Sequence, residues 1–303
     1  MQTSQLLDIQ QALWRKRHLK NISSAVPLLD GLRNVLEVKV DMSQVACVIL
    51  GGGMASRLGC DGPKGNVQVE RYGSRSLFDI LIQKSANIPV AVMTSPLNHQ
   101  ATELALQGTH AELFQQSMMP FLDDQGRWIL DDHGNPLMGP DGNGGVFAHL
   151  ERCGTLSKWA KQGVRYLTIL PIDNPKADPL NHKQLALLDE NEIVVTAIVR
   201  DCPKEQIGVM ADLGGKLHIR EYSDGVCEGP LGYSGLFSCT LGFAKRVAHI
   251  DLPWHLAQKE VNQKKVWKFE RFIFDLFPYA NSYKVLIEER SKCFDPIKRK
   301  EDL

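Results

Sequence analysis

Short, nearly continuous apolar runs alternate along the chain with longer stretches in which apolar residues recur every three or four positions. The runs at 45–50 (VACVIL), 89–94 (PVAVMT), 166–172 (YLTILPI) and 193–199 (IVVTAIV) have the character of strands covered on both faces. Between them, 77–87, 98–107, 145–153 and 182–189 read as helices. Strand then helix, repeated, predicts an α/β fold: a doubly wound sheet with helices on both faces. The opening MQTSQLLDIQQALWRKRHLK predicts an amphipathic helix with Leu6, Leu7, Ile9, Leu13 and Trp14 toward one side. Past 207 the pattern changes. Strands at 207–212 and 216–221 flank Leu213-Gly214-Gly215, a hairpin with a Gly-rich turn. A helix over 268–277 is expected to bury Phe269, Phe272, Ile273, Leu276 and Phe277, and a strand follows at 283–288. With no repeat, low-complexity tract or Ser/Pro linker, the expected division is an N-terminal helical segment, 1–40, and one extended domain over 41–303.

Composition narrows the function classes. The 303 residues carry 35 basic and 35 acidic side chains, so no basic excess points to nucleic acid or to an anionic membrane. An anionic ligand would need a local cluster of cations. No apolar run approaches the ~20 residues of a membrane span, and the N-terminus lacks the basic-then-apolar order of a signal peptide. The seven cysteines, with no C-x-x-C pair, exclude a recognisable zinc module and disfavour a disulfide framework. A soluble, reduced, cytoplasmic protein is expected. The nine histidines show no metal-binding spacing.

Four segments carry candidate chemistry. Gly51-Gly52-Gly53-Met54-Ala55-Ser56-Arg57 follows the first apolar strand, where glycines let backbone amides approach an anion. It fits neither the P-loop nor the dinucleotide pattern, and a tight strand-to-helix turn is the alternative. Gly62-Pro63-Lys64-Gly65 projects a lysine from a stiffened loop, or is merely an exposed turn. Asp141-Gly142-Asn143-Gly144-Gly145 opens a helix and is either a ligand loop or an ordinary helix entry. Asp173 ends a strand, either as a carboxylate for a hard cation such as Mg²⁺ or as a strand-ending Asx turn. Cys60, inside the first loop, is read as a passive thiol.

Taken in order, LGGGMASRLG, PKG, FQQSMMP, PDGNGG, IDN, ADP, IGVM, REYSD, KFERFIFDLFPYA and DPIK resemble the eukaryotic-type UDP-sugar pyrophosphorylases, most of all those acting on UDP-N-acetylhexosamines. The resemblance covers about residues 45 to 299. It implies a Rossmann-like nucleotidyltransferase fold with a mixed, mostly parallel sheet, and a Mg²⁺-assisted uridylyl transfer from UTP to a sugar 1-phosphate. The products would be a UDP-sugar and pyrophosphate. It further implies that Gly51, Gly52, Gly53 and Arg57 wrap the UTP phosphates with Lys64, and that Gln115 or Gln116, the latter favoured, reads uracil. Gly142, Asn143 and Gly144 would meet uridine and sugar. Asp173 would lie near metal and phosphates, Glu221 and Tyr222 would face the sugar, and Lys268 and Lys298 would reach phosphate. Catalysis would then be positioning and charge neutralisation by Arg57, Lys64, Lys268 and Lys298. A monomer or weak homo-oligomer is expected, without nucleic acid or membrane partners.

The chain departs from the family pattern in three places. Ala55 stands where the phosphate loop has a glycine, and its methyl is expected to crowd a phosphate or shift the loop. Gly235 stands where a sugar-binding asparagine is usual, and Tyr233 or Phe237 is expected to fill the space. Cys239 stands for a histidine. Ala55 and Gly235 motivate an alternative, a catalytically silent nucleotide- or UDP-sugar-binding regulator on the same scaffold. The family's small C-terminal domain and much of its N-terminal one are expected to be missing.

Overall fold

The computed structural model describes residues 3–17, 25–35, 40–85, 87–221, 228–261 and 264–303. Among these residues the frame is a mixed sheet of ten strands. Val45–Leu50 lies inside a parallel block, between Val90–Thr94 and Tyr166–Pro171, with Ala111–Gln115 on the far side of Val90–Thr94. VACVIL suits this position because it is apolar at every residue. Val45, Cys47 and Ile49 enter one core while Ala46 and Val48 enter the other.

Beyond Tyr166–Pro171 the direction reverses. Leu231–Thr240 runs antiparallel to Tyr166–Pro171 on one edge and to Ile193–Val199 on the other. Its apolar pattern is interrupted by Gly232, Ser234, Gly235 and Ser238, which hid it in the sequence. Near its start it meets Val209–Leu213, which turns back into Lys216–Arg220. Gly214 and Gly215 have φ of 62° and 79°, as a two-residue turn of the mirror-image type requires. Tyr283–Ile287 joins Ile193–Val199 in parallel. Val26–Pro27 pairs with Val209–Leu213, so the expected N-terminal helical segment also supplies a strand to the central sheet.

Helices close both faces. Val146–Arg152, Thr155–Lys161 and Leu241–Val247 cover one core, with Trp159 fully buried. Leu77–Lys84, His182–Leu187 and the segment carrying Cys293 and Ile297 cover the other. Leu77–Lys84 starts on a reciprocal cap: Ser76 Oγ accepts from the Asp79 amide at 3.0 Å, and the Asp79 carboxylate accepts from the Ser76 amide at 3.2 Å.

The helix expected over 268–277 is absent. Lys264–Glu270 is a strand paired with His255–Val261, and Ile273–Tyr279 is a 3₁₀ turn containing Pro278. The aromatic and β-branched KKVWKFE suits a pleated surface, and Pro278 removes an amide that an α-helix would use. Phe269, Ile273, Leu276 and Phe277 are buried nonetheless. Beside this hairpin, Leu6, Leu7, Leu13 and Trp14 of the helix Thr3–Arg15 pack with Met119, Leu122 and Phe269, whereas Ile9 is exposed. Buried Gln10 donates to Pro120 O at 2.8 Å and accepts from Trp128 Nε1 at 2.7 Å.

Gln10→Ala would leave both partners without their bond. The expected cost is about 1–3 kcal/mol, or several degrees of melting temperature. Thermal denaturation checks it: an unchanged melting temperature would mean that apolar contacts alone dock the helix.

Candidate active site

The parallel strands Val45–Leu50, Val90–Thr94 and Tyr166–Pro171 end side by side, so Gly51, Ser95 and Asp173 emerge along one edge of the sheet. Gly51 continues the ladder, donating to Met93 O at 2.9 Å. The next carbonyls are then claimed. Buried Asn98 donates from Nδ2 to Gly51 O at 2.9 Å and Gly53 O at 3.2 Å, and the Lys64 amide also donates to Gly53 O, at 3.0 Å. Among the described residues the amides of Gly52 and Gly53 have no protein acceptor. Successive amides left in this way form an anion-binding concavity. Arg57 is exposed on the turn Ser56–Leu58 of the same loop.

Asn98 was not singled out in the sequence as a site residue. It stands at the N-terminus of His99–Ala105, where asparagine usually caps its own helix, yet its side chain makes no such cap. Its Oδ1 accepts from the Ser95 amide at 2.8 Å and its amide nitrogen serves the glycine loop. The Ser95-Pro96-Leu97-Asn98 turn chemistry is the signal that could have found it.

Gln116, not Gln115, reaches this loop. Gln115 ends its strand exposed, while Gln116 is buried with Nε2 3.5 Å from Gly52 O. A Cβ on Gly52 would stand 2.2 Å from that nitrogen, so only glycine fits beneath the carboxamide. Ala55 needs no such freedom: its φ is −86°, and its methyl is buried in the core with Leu58 and Val67.

Lys64 is aimed by its neighbours. Pro63 holds φ at −65°, and Gly65 lies against Phe78, whose ring a Cβ would meet at 2.2 Å. Lys64 Nζ stands 3.0 Å from Asp173 Oδ2, with the two side chains 17% and 22% exposed. The C-terminal segment is tied to the same point. Ile297 donates to Asp173 O at 2.7 Å, and Asn174 Nδ2 donates to Cys293 O at 2.8 Å. Asp295, next in line, is held by Arg71 at 3.0 Å and Tyr72 at 2.7 Å; against the cost of its burial, these partners keep its carboxyl below the usual carboxylate range.

Asp173, Asn143, Glu221, Gly235 and Lys298 line one cavity of about 250 Å³. Asn143 is placed by Arg271, the other residue not foreseen. Arg271 O accepts from the Gly144 amide at 2.8 Å, and its guanidinium meets buried Asp141 at 2.8 Å. Gly142 has φ of +89°, and a Cβ there would stand 2.3 Å from Arg271 O. The DGNGG glycines therefore answer to Arg271, and Asn143 Oδ1 accepts from Ile273 N at 3.0 Å.

Two expectations change here. Lys268 is on the hairpin strand Lys264–Glu270, paired with Glu270 at 2.7 Å, and does not line the cavity. A Cβ at Gly235 would have Pro171 Cγ as its nearest neighbour, at 3.2 Å; Phe237 lies in the core, while Tyr233 lines the same cavity as Gly235 and packs edge-on against Phe274 and Phe277. Gly235 has φ of +83° at a register shift opposite Val195 and Ala197, a backbone reason for glycine. Cys239 is fully buried in the core, and burial raises its thiol pKa well above the ordinary value. Tyr222 lies outside the described residues.

Asn98→Asp keeps the acceptor for Ser95 but turns a carboxylate toward two carbonyls. It is expected to weaken UTP binding about tenfold or more, measured by calorimetry on the folded variant. Unchanged affinity would mean that the Gly52 and Gly53 amides take no part.

The family model described as UTP–glucose-1-phosphate uridylyltransferase matches residues 8–226, more than half of the chain. UDP-N-acetylglucosamine diphosphorylase 1 of Arabidopsis thaliana is 29% identical, the match covering 88% of this chain and 62% of the relative. The chain thus spans less than two-thirds of that relative's length. The fold is that of the uridine diphosphate N-acetylglucosamine pyrophosphorylase of Trypanosoma brucei, solved with an inhibitor (TM-score 0.73, 24% identity, 98% of this chain and 65% of that one). It is equally that of the UDP-glucose phosphorylase of Trypanosoma brucei (TM-score 0.80, 20% identity, 97% and 72%). With its glycine loop, Gln116, Lys64 and Asp173 gathered on the edge where the strands end, the chain belongs to the UTP–glucose-1-phosphate uridylyltransferase family.

Proposed function

We propose that the protein joins UTP to a sugar 1-phosphate, an N-acetylhexosamine 1-phosphate by preference, releasing pyrophosphate. The observation that carries this reading is the cavity on which Asn143, Asp173, Glu221 and Lys298 converge from four separate segments, beside the Lys64–Asp173 pair. The preference for an amino sugar rests on the name of the Arabidopsis relative.

In this reading Gln116 reads the uracil edge. Its Nε2 gives one hydrogen to Gly52 O, leaving one donor and the Oε1 acceptor for the base. The Gly52 and Gly53 amides and Arg57 hold the triphosphate, and Lys64 leaves Asp173 for the phosphates. Asn143 and Glu221 orient the sugar. An oxygen of the sugar phosphate bonds to the α-phosphorus as the bond from that phosphorus to the pyrophosphate breaks in line. The nucleophile is already anionic, so no general base is needed, and Arg57, Lys64 and Lys298 offset the repulsion between the two anions.

The donor set suits Mg²⁺ arriving with the triphosphate. Among the described residues no group of three or more His, Cys, Asp or Glu is placed to hold a metal. One strand-end carboxylate, Asp173, fits an ion that takes most of its ligands from phosphate and water. Bound there, Mg²⁺ would neutralise phosphate charge. The six described cysteines are free, as in a reducing compartment such as the cytoplasm, and no described helix is long and apolar enough to cross a membrane.

Pyrophosphate release with UTP, Mg²⁺ and a panel of sugar 1-phosphates tests the proposal; turnover with an N-acetylhexosamine 1-phosphate is expected, and silence across the panel would refute it. Lys64→Ala is expected to lower kcat about 10²-fold, whereas a change confined to KM would limit Lys64 to ground-state binding. Gly235→Asn places a residue tolerant of positive φ where Pro171 is the nearest neighbour. It is expected to lower the sugar-phosphate KM several-fold, for about 0.5–1.5 kcal/mol, and to leave the UTP KM unchanged. Loss of activity with every sugar would show that Pro171 cannot yield.

A further inference from the structure

Gly235 has no side chain with which to hold a sugar, but a polar group stands two residues earlier on the same strand. Tyr233 lines the site cavity together with Gly235 and Glu221. Its ring is met edge-on by Phe274, with centroids 6.3 Å apart, and by Phe277, at 5.6 Å. Its amide donates to Gly208 O at 2.8 Å, so backbone and ring are both fixed. The hydroxyl is the exception. Among the described residues nothing bonds to it, yet it is not sealed from solvent as the unpartnered Trp159 Nε1 is.

Packing does not explain a tyrosine here. Phenylalanine would fill the same aromatic cluster without taking a hydroxyl from water, and a hydroxyl left without a partner costs free energy. Burial, and after it the charge of the Glu221 carboxylate, pushes the phenol pKa far above its ordinary value. The hydroxyl therefore stays protonated and able to donate, while the nearby carboxylate only accepts. A donor near an acceptor matches the hydroxyls of a sugar ring, each of which can receive one hydrogen bond and give another.

We propose that Tyr233 determines how this chain holds the sugar: its hydroxyl donates to an oxygen substituent of the sugar ring and supplies the hydrogen bond that Gly235 cannot. The inference rests on the uridylyl-transfer reading and adds to it a residue of the sugar half of the site.

Calorimetry with UDP-N-acetylglucosamine and with UDP, on the wild type and on Tyr233→Phe, tests it. Phenylalanine keeps the ring contacts, and thermal melting checks that the variant is folded. Tyr233→Phe is expected to bind the UDP-sugar about tenfold more weakly and UDP as the wild type does. In turnover it is expected to raise the KM for the sugar 1-phosphate and to leave that for UTP unchanged. Equal affinity of the two proteins for the UDP-sugar would overturn the proposal and leave the uridylyl-transfer reading standing. So would an equal loss of affinity for UDP, which marks a general disturbance of the pocket. A wild type that binds neither ligand would refute the uridylyl-transfer reading itself, and this proposal with it.

Discussion

The contact between Lys64 and Asp173 joins residues 109 apart in sequence, and the rest of the site is arranged around it. Asp173 is where it is because Tyr166–Pro171 runs parallel to Val45–Leu50 and ends beside it. Lys64 is where it is because its own amide is bonded to Gly53 O and the next residue lies flat on Phe78. A parallel register thus delivers the carboxylate, and a loop clamped at both ends delivers the ammonium. The backbone of Asp173 then receives Ile297, which brings Lys298 to the cavity wall. A displaced strand end would disturb the cation, the carboxylate and the C-terminal segment together.

Glycine at this site is dictated by protein neighbours as much as by a ligand. Gly52 lies under Gln116 and Gly144 against Arg271. Each close approach locks a loop to a second element, so the amides that remain are held in place before any anion arrives. Preorganisation of this kind is what electrostatic catalysis requires, since donors already fixed need no rearrangement as charge develops.

The parallel half of the sheet was legible because its strands are apolar on both faces, and that pattern ends at the very residues that carry the site. Legibility failed where polarity or composition masked the fold. Leu231–Thr240 is broken by glycines and serines, and the aromatic-rich 264–279 shows helical spacing while forming a strand and a 3₁₀ turn. Among site residues, those near a glycine or at a strand end were visible. Asn98 and Arg271 were not, because they act on loop backbones from elements distant in sequence. Ala55, a departure from the family pattern in sequence, places its methyl in the core. Lys268, matched by motif alone, is turned to Glu270.

The central claim is that the edge formed by Gly51–Gly53, Gln116 and Lys64 is a uridine nucleotide site. Equilibrium binding of UTP and CTP to the wild-type chain tests it most directly. The bond from Gln116 to Gly52 O would fix which way round the carboxamide presents its donor and its acceptor to the base. UTP is therefore predicted to bind at least about tenfold more tightly than CTP, for roughly 1.4 kcal/mol from one matched hydrogen bond. Equal affinities, or no binding of either, would contradict the account.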